Sequence, residues 1–160
     1  MLYREYPPSI TLAPYIHLYG ELQYVPQTLA PTIEMVPPLL GRGIIFRLSG
    51  SRHEPILMER AGHQPYPLKM GYVLPMWTEV YKATYQCPFH MIGVIFRPGQ
   101  FRHFFKLPMD EVVNHIYSFD ELGLKELEEL HEQLWETQNA PQRLRLLEKF
   151  FLKKLGKMEP

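Results

Sequence analysis

Sixteen prolines punctuate this 160-residue chain, and fourteen of them fall between Pro7 and Pro108. Proline lacks a backbone donor and its ring clashes with the preceding helical turn, so prolines this closely spaced exclude long helices from the first two thirds of the sequence. The intervals between them hold Tyr15–Tyr24, Gly43–Leu48, Gly71–Leu74, Trp77–Tyr85 and Phe89–Phe96. These segments have strand lengths and are rich in β-branched and aromatic residues, so the region before Pro108 is expected to be an all-β barrel.

Alternation assigns faces to the strands. In Trp77–Tyr85 one face carries Trp77, Glu79, Tyr81, Ala83 and Tyr85 and the other carries Thr78, Val80, Lys82 and Thr84, so the aromatic face is expected to point inward. Phe89–Phe96 is apolar on both faces. A strand of that kind needs cover on both sides and is expected to be central.

After Pro108 no proline occurs until Pro141, and the apolar period changes. Leu124, Leu127, Leu130 and Leu134 follow helical spacing, which predicts a first helix beginning near Asp120. Asn139 and Pro141 then supply a cap and a first-turn proline for a second helix, with Leu144, Leu147, Phe151 and Leu155 as its stripe and Gly156 as its stop. Between barrel and helices, Pro98-Gly99 marks a turn, followed by one helical turn that packs Phe101, Phe104 and Phe105. Residues 120–136 hold seven carboxylates against one lysine, whereas residues 140–160 hold six cations against two glutamates. Opposite charge and a short connection favour an antiparallel hairpin, within one molecule or between two copies.

Composition narrows the function classes. Lysine plus arginine balance aspartate plus glutamate at 17 each, so the chain lacks the positive excess of a domain that grips phosphate backbones unaided. No stretch approaches the about 18 apolar residues of a membrane span, and the N-terminus has no basic flank followed by an apolar core. The single cysteine, Cys87, cannot form an internal disulfide, which fits a reducing, cytoplasmic setting.

Catalytic chemistry is equally sparse. The seven histidines include no pair separated by one residue, and His131-Glu132-Gln133-Leu134-Trp135 lacks the second histidine of a zinc helix. Ser49-Gly50-Ser51 lacks the flanks of a nucleophile elbow, and Cys87 has no cationic neighbour nearer than Lys82 and His90. No catalytic residue, metal site or cofactor is therefore expected. The best pocket candidate is the inward face of Trp77, Tyr81 and Tyr85 with Glu79, joined by Phe46 and Phe96, because ligand sites combine apolar walls with a few polar groups. An inward carboxylate such as Glu79 must be paired, hydrated or used.

Gly93-Val94-Ile95-Phe96-Arg97-Pro98-Gly99-Gln100-Phe101, then Phe105-Lys106-Leu107-Pro108, then Asp120-Glu121-Leu122-Gly123, resembles the end of the N-terminal domain of AraC-type bacterial transcription regulators. The opening Tyr3-Arg4-Glu5-Tyr6-Pro7-Pro8 with Leu12-Ala13-Pro14-Tyr15 resembles that family's start, and the Arg143–Leu155 stretch its closing helix. The resemblance implies one domain over residues 1–160, with a cupin-like (double-stranded β-helix or jelly-roll) barrel over 1–108 and a helical dimerisation region over 109–160. It implies a small-molecule effector in the barrel and a homodimer joined through Leu127, Leu130, Leu134, Trp135, Leu147 and Phe151, although the same stripes could instead, or also, pack on the barrel. Operator DNA would be read only through a helix-turn-helix domain missing from this chain, which is then expected to be a fragment. The rival reading is a stand-alone cupin-type metal-dependent enzyme or small-ligand-binding protein.

Overall fold

A computed structural model describes residues 1–36, 42–50, 56–76, 78–107 and 115–158. Among them ten strands form two antiparallel sheets, followed by two C-terminal helices. The six-stranded sheet runs in the order β1 (Leu2–Tyr6), β2 (Ile16–Tyr24), β9 (Phe89–Phe96), β4 (Gly43–Ser49), β7 (Gly71–Leu74) and β10 (Tyr117–Ser118). The four-stranded sheet runs β3 (Thr32–Val36), β8 (Tyr81–Tyr85), β5 (Leu57–Arg60) and β6 (Tyr66–Pro67). The helices are α1 (Lys125–Trp135) and α2 (Ala140–Met158).

β9 lies between β2 and β4, the central position its two apolar faces require. Phe89 and Met91 pack with Tyr24, Ile45, Tyr81 and Tyr85 between the two sheets. Ile92, Val94 and Phe96 pack on the opposite face with Leu127, Leu130, Leu134, Leu147 and Phe151 of the helices. The molecule is thus three layers, with the six-stranded sheet in the middle. Phe101, Phe104 and Phe105 of the expected helical turn complete the helix-side layer around Phe96 and Phe151.

α2 starts as its sequence requires. The Asn139 side chain accepts a hydrogen bond from the Gln142 backbone N–H at 3.0 Å, and the Gln142 side chain accepts one from Gln138 N–H at 3.0 Å. Lys154 meets Glu126 at 2.7 Å, joining the end of α2 to the start of α1, as an antiparallel hairpin demands.

Several boundaries differ from those expected. α2 continues through Gly156 to Met158, because the stripe ending at Leu155 holds the last turns on the core. Asp120 does not start α1. Ser118 and Glu121 instead close a local turn, with the Ser118 hydroxyl accepting from Glu121 N–H at 3.1 Å and donating to its carboxylate at 3.0 Å, and Gly123 at φ +67° breaks the chain before the helix. β structure also extends past Pro108, since Tyr117 and Ser118 pair with Val73 and Tyr72. Pro108 itself lies outside the described residues.

Gly71 shows how closely α1 is seated. A Cβ there would clash with the edge of the Phe119 ring and lie 3.0 Å from His131 Nδ1, while the other ring nitrogen of His131 lies 2.7 Å from the Arg47 carbonyl oxygen. Gly71→Ala is therefore expected to lower unfolding free energy by about 1–3 kcal/mol through overpacking, measured by urea denaturation; an unchanged midpoint would show that α1 is not held this tightly.

Candidate functional site

The space between the sheets is built from alternate residues of facing strands. β2 and β9 contribute Tyr24 and Phe89, β4 and β7 contribute Ile45 and Tyr72, and β8 contributes Tyr81, Ala83 and Tyr85. Tyr24 stacks on Phe89 with ring centroids 5.3 Å apart and meets Tyr85 edge-on at 4.7 Å, arrangements that the ring quadrupole favours. The hydroxyls are directed rather than stranded: Tyr85 donates to Glu34 Oε2 at 2.8 Å, and Tyr24 shares a 2.6 Å hydrogen bond with the Thr32 hydroxyl.

Further along this layer a cavity of about 280 Å³ opens, with walls that include Tyr66, Tyr72, Leu68, His115 and Ile116, and Lys69 and Glu121 also lining it. His115 stacks on Tyr66 at 5.6 Å, nearly parallel. Burial pushes the Tyr66 phenol up to about 12. Burial also raises Tyr72, against the opposing charge of Arg47, and raises Tyr85, where the Glu34 carboxylate adds to the effect. These phenols remain neutral near pH 7, so they present apolar faces with hydroxyl donors rather than bases.

The expected pocket residues do not all meet here. Tyr81 and Tyr85 lie in the inter-sheet layer as alternation requires. Phe46 and Phe96 are buried on the opposite face of the six-stranded sheet, in the helix-side core, because β4 and β9 place them out of phase with Ile45 and Phe89. Glu79 is not inward: β8 begins only at Tyr81, and Glu79 stands half-exposed in a bend with Arg60 at 3.7 Å. Trp77 lies outside the described residues. Sequence reasoning missed Tyr24, Tyr72 and Phe89, although the alternation of Leu22 with Tyr24 and of Phe89 with Met91 carried the signal.

The expected helix contacts change as well. Leu127, Leu130, Leu134, Leu147 and Phe151 are buried within the chain, so they serve the sheet–helix core and are not free to meet a second copy. Of that set only Trp135 is exposed.

A second polar arrangement joins sheet to helix. Glu21 on β2, 7% exposed, receives Arg143 Nη1 of α2 at 3.0 Å and lies 3.4 Å from His90 Nε2 on β9. One turn further along α2, Glu148 accepts hydrogen bonds from the Tyr19 hydroxyl at 3.2 Å and the Ser9 backbone N–H at 2.8 Å. Beside α1, a trough of about 610 Å³ runs between Lys69–Gly71 and the helix, walled by Phe119 and His131 and edged by Asp120, Glu121 and Glu128. Among the described residues no group of three or more histidines, cysteines and carboxylates is placed to hold a metal ion, and no helix is long and apolar enough to cross a membrane.

A family model described as a domain of unknown function (DUF6597) matches residues 4–118. The chain belongs to this family. The match begins within β1 and ends on the last residue of β10, so the DUF6597 region coincides with the two-sheet body and stops before α1. No curated protein matches the chain.

Two half-buried histidines where sheet meets helices, His90 on β9 and His131 on α1, are expected to make stability depend on pH. Burial pushes His90 below its ordinary value of 6.5, with Arg143 adding to the shift and Glu21 opposing it, and burial likewise lowers His131 against the Arg47 carbonyl and Glu132. The unfolded chain then binds protons that the folded chain resists, so this stability is full above about pH 6.5 and is lost as pH falls through the unfolded value toward the depressed folded ones. The melting temperature is expected to fall between about pH 7.5 and about pH 5.5. His131→Gln should flatten that slope, and an unchanged profile would place the effect elsewhere.

Proposed function

We propose that this DUF6597 chain is the small-molecule-sensing and dimerisation domain of an AraC-type transcription regulator, with its two sheets forming a cupin-like barrel. In this reading it is cytoplasmic, binds its effector without catalysis, and acts on operator DNA through a helix-turn-helix domain outside this chain. The observation that carries the reading is the inter-sheet aromatic layer. Tyr24, Tyr72, Tyr81, Tyr85 and Phe89 line one interior, and a cavity walled by Tyr66 and Tyr72 opens beside it. Apolar walls with a few placed hydroxyl donors suit a small organic molecule bearing oxygen acceptors. The order of elements, with two sheets followed by a helix pair packed on one of them, agrees with the resemblance at Gly93–Phe101 and Arg143–Leu155.

A sensor must bind its effector better in one state than in another, and binding to the native state must raise stability. Thermal-shift screening of sugars, amino acids and aromatic acids is expected to give at least one saturable response, reaching about 2.7 kcal/mol at a hundredfold excess over Kd. Tyr72→Phe, which removes only a hydroxyl from the cavity wall, should weaken that response. Blanks across all three classes would sink the sensing reading, and stoichiometric iron, zinc or manganese in the purified protein would favour the metal-dependent enzyme instead.

A further inference from the structure

We infer that the solvent face of the four-stranded sheet is the surface on which a second copy of this chain docks, face to face about a two-fold axis. The inference rests on the dimerisation half of the proposed function and is independent of ligand sensing and DNA binding.

The outward residues of this sheet follow from register. Ile33, Thr84 and Leu57 stand side by side across β3, β8 and β5, and Met35, Lys82 and Glu59 form the next row. Tyr81, Ala83, Tyr85 and Met58 point the other way into the inter-sheet layer. Ile33 and Met35 are each 62% exposed, and Leu57 and Val80, the residue just before β8, are exposed as well. Three β-strand positions with water-facing isoleucine, methionine and leucine do not follow the usual polar exterior of an antiparallel sheet.

Charge distinguishes this face from the exposed apolar positions of the helices, Trp135 and Leu152. A two-fold contact sets each residue against the same patch of its partner, so the patch must complement itself. The only charged residues in the two rows are Lys82 and Glu59, an ion pair at 3.1 Å, and a half-turn about an axis between them sets each against its opposite in the second copy. Trp135 shares its surface with Glu132 and Glu136, so two such surfaces would oppose carboxylates. Leu152 lies one helical turn or less from Lys149 and Lys153, so its surface would oppose cations. Few apolar side chains make up the patch, so a weak dimer with a Kd of about micromolar order is expected.

Sedimentation equilibrium between about 10 and about 500 μM is the test. The expected result is a reversible monomer–dimer equilibrium that Ile33→Lys and Met35→Lys each weaken at least about tenfold, while Trp135→Ala and Leu152→Ala leave it unchanged. The decisive arm mixes two variants: Glu59→Lys and Lys82→Glu should each dimerise poorly alone, from like charges across the axis, and regain association when mixed one to one. Recovery on mixing also shows that both variants are folded. A wild-type monomer throughout the range would overturn both this inference and the dimerisation half of the proposed function. A dimer that resists the sheet-face variants but is lost in Trp135→Ala or Leu152→Ala would overturn the inference alone, leaving a helix-mediated dimer. Failure of the mixed pair to recover would exclude the face-to-face arrangement.

Discussion

A sheet whose central strands are apolar on both faces has to be covered twice. β4 and β9 carry Ile44 and Phe46, and Ile92, Val94 and Phe96, toward the helices, and Ile45, Phe89 and Met91 toward the second sheet. Leaving either face wet would expose several large side chains, each worth about 1.5–3 kcal/mol on burial. The rest of the architecture answers to that demand. The four-stranded sheet closes one side, and α1, α2 and the Phe101–Phe105 turn close the other. The helix pair is therefore part of the core, and its leucine stripes are consumed there.

Apolar cover alone does not fix how α2 lies on the sheet. The polar seam does: Glu21 holds Arg143, and Glu148 holds the Tyr19 hydroxyl and the Ser9 backbone, so two positions about a turn apart on the helix are tied to one strand and to the segment that precedes it. A buried ion pair adds little net stability, because desolvation offsets most of its attraction, but losing one partner strands the other. Sliding α2 along the sheet would separate both contacts together. The alternative seatings that a leucine stripe tolerates are thereby excluded.

Much of the fold was legible because its signals are local. Proline spacing excluded helices before Pro108, the double-faced apolar run of Phe89–Phe96 marked the central strand, and Asn139-Ala140-Pro141 marked the start of α2. What was not legible depended on partners. β1, β3, β5, β6 and β10 are short, and in Thr32–Val36 Ile33, Glu34 and Met35 are all exposed, so no hydrophobic alternation announces it. The site suffered in the same way. Periodicity put Tyr81 and Tyr85 on one face, but it could not show that the strand begins at Tyr81 and leaves Glu79 in a bend, nor that Phe46 and Phe96 answer to the helices. A helical stripe says that a face is buried and is silent about what buries it, which is why Leu127, Leu130, Leu134, Leu147 and Phe151 suit a second copy or the barrel equally until the sheet is seen to cover them.

The chemistry of the inter-sheet layer bears on which proposed reading it suits. A general base needs a group that accepts a proton near neutral pH, yet burial drives the phenols of Tyr66, Tyr72, Tyr81 and Tyr85 upward, which holds them in the donor form. Glu34, the carboxylate bonded to Tyr85, sits on an exposed position of an edge strand and orients that hydroxyl. Rings set by edge-on and stacked contacts and hydroxyls fixed by Glu34 and Thr32 offer shape and direction to a bound molecule. Those are properties that support recognition, and in the proposed sensor they would be spent on selecting an effector rather than on transforming it.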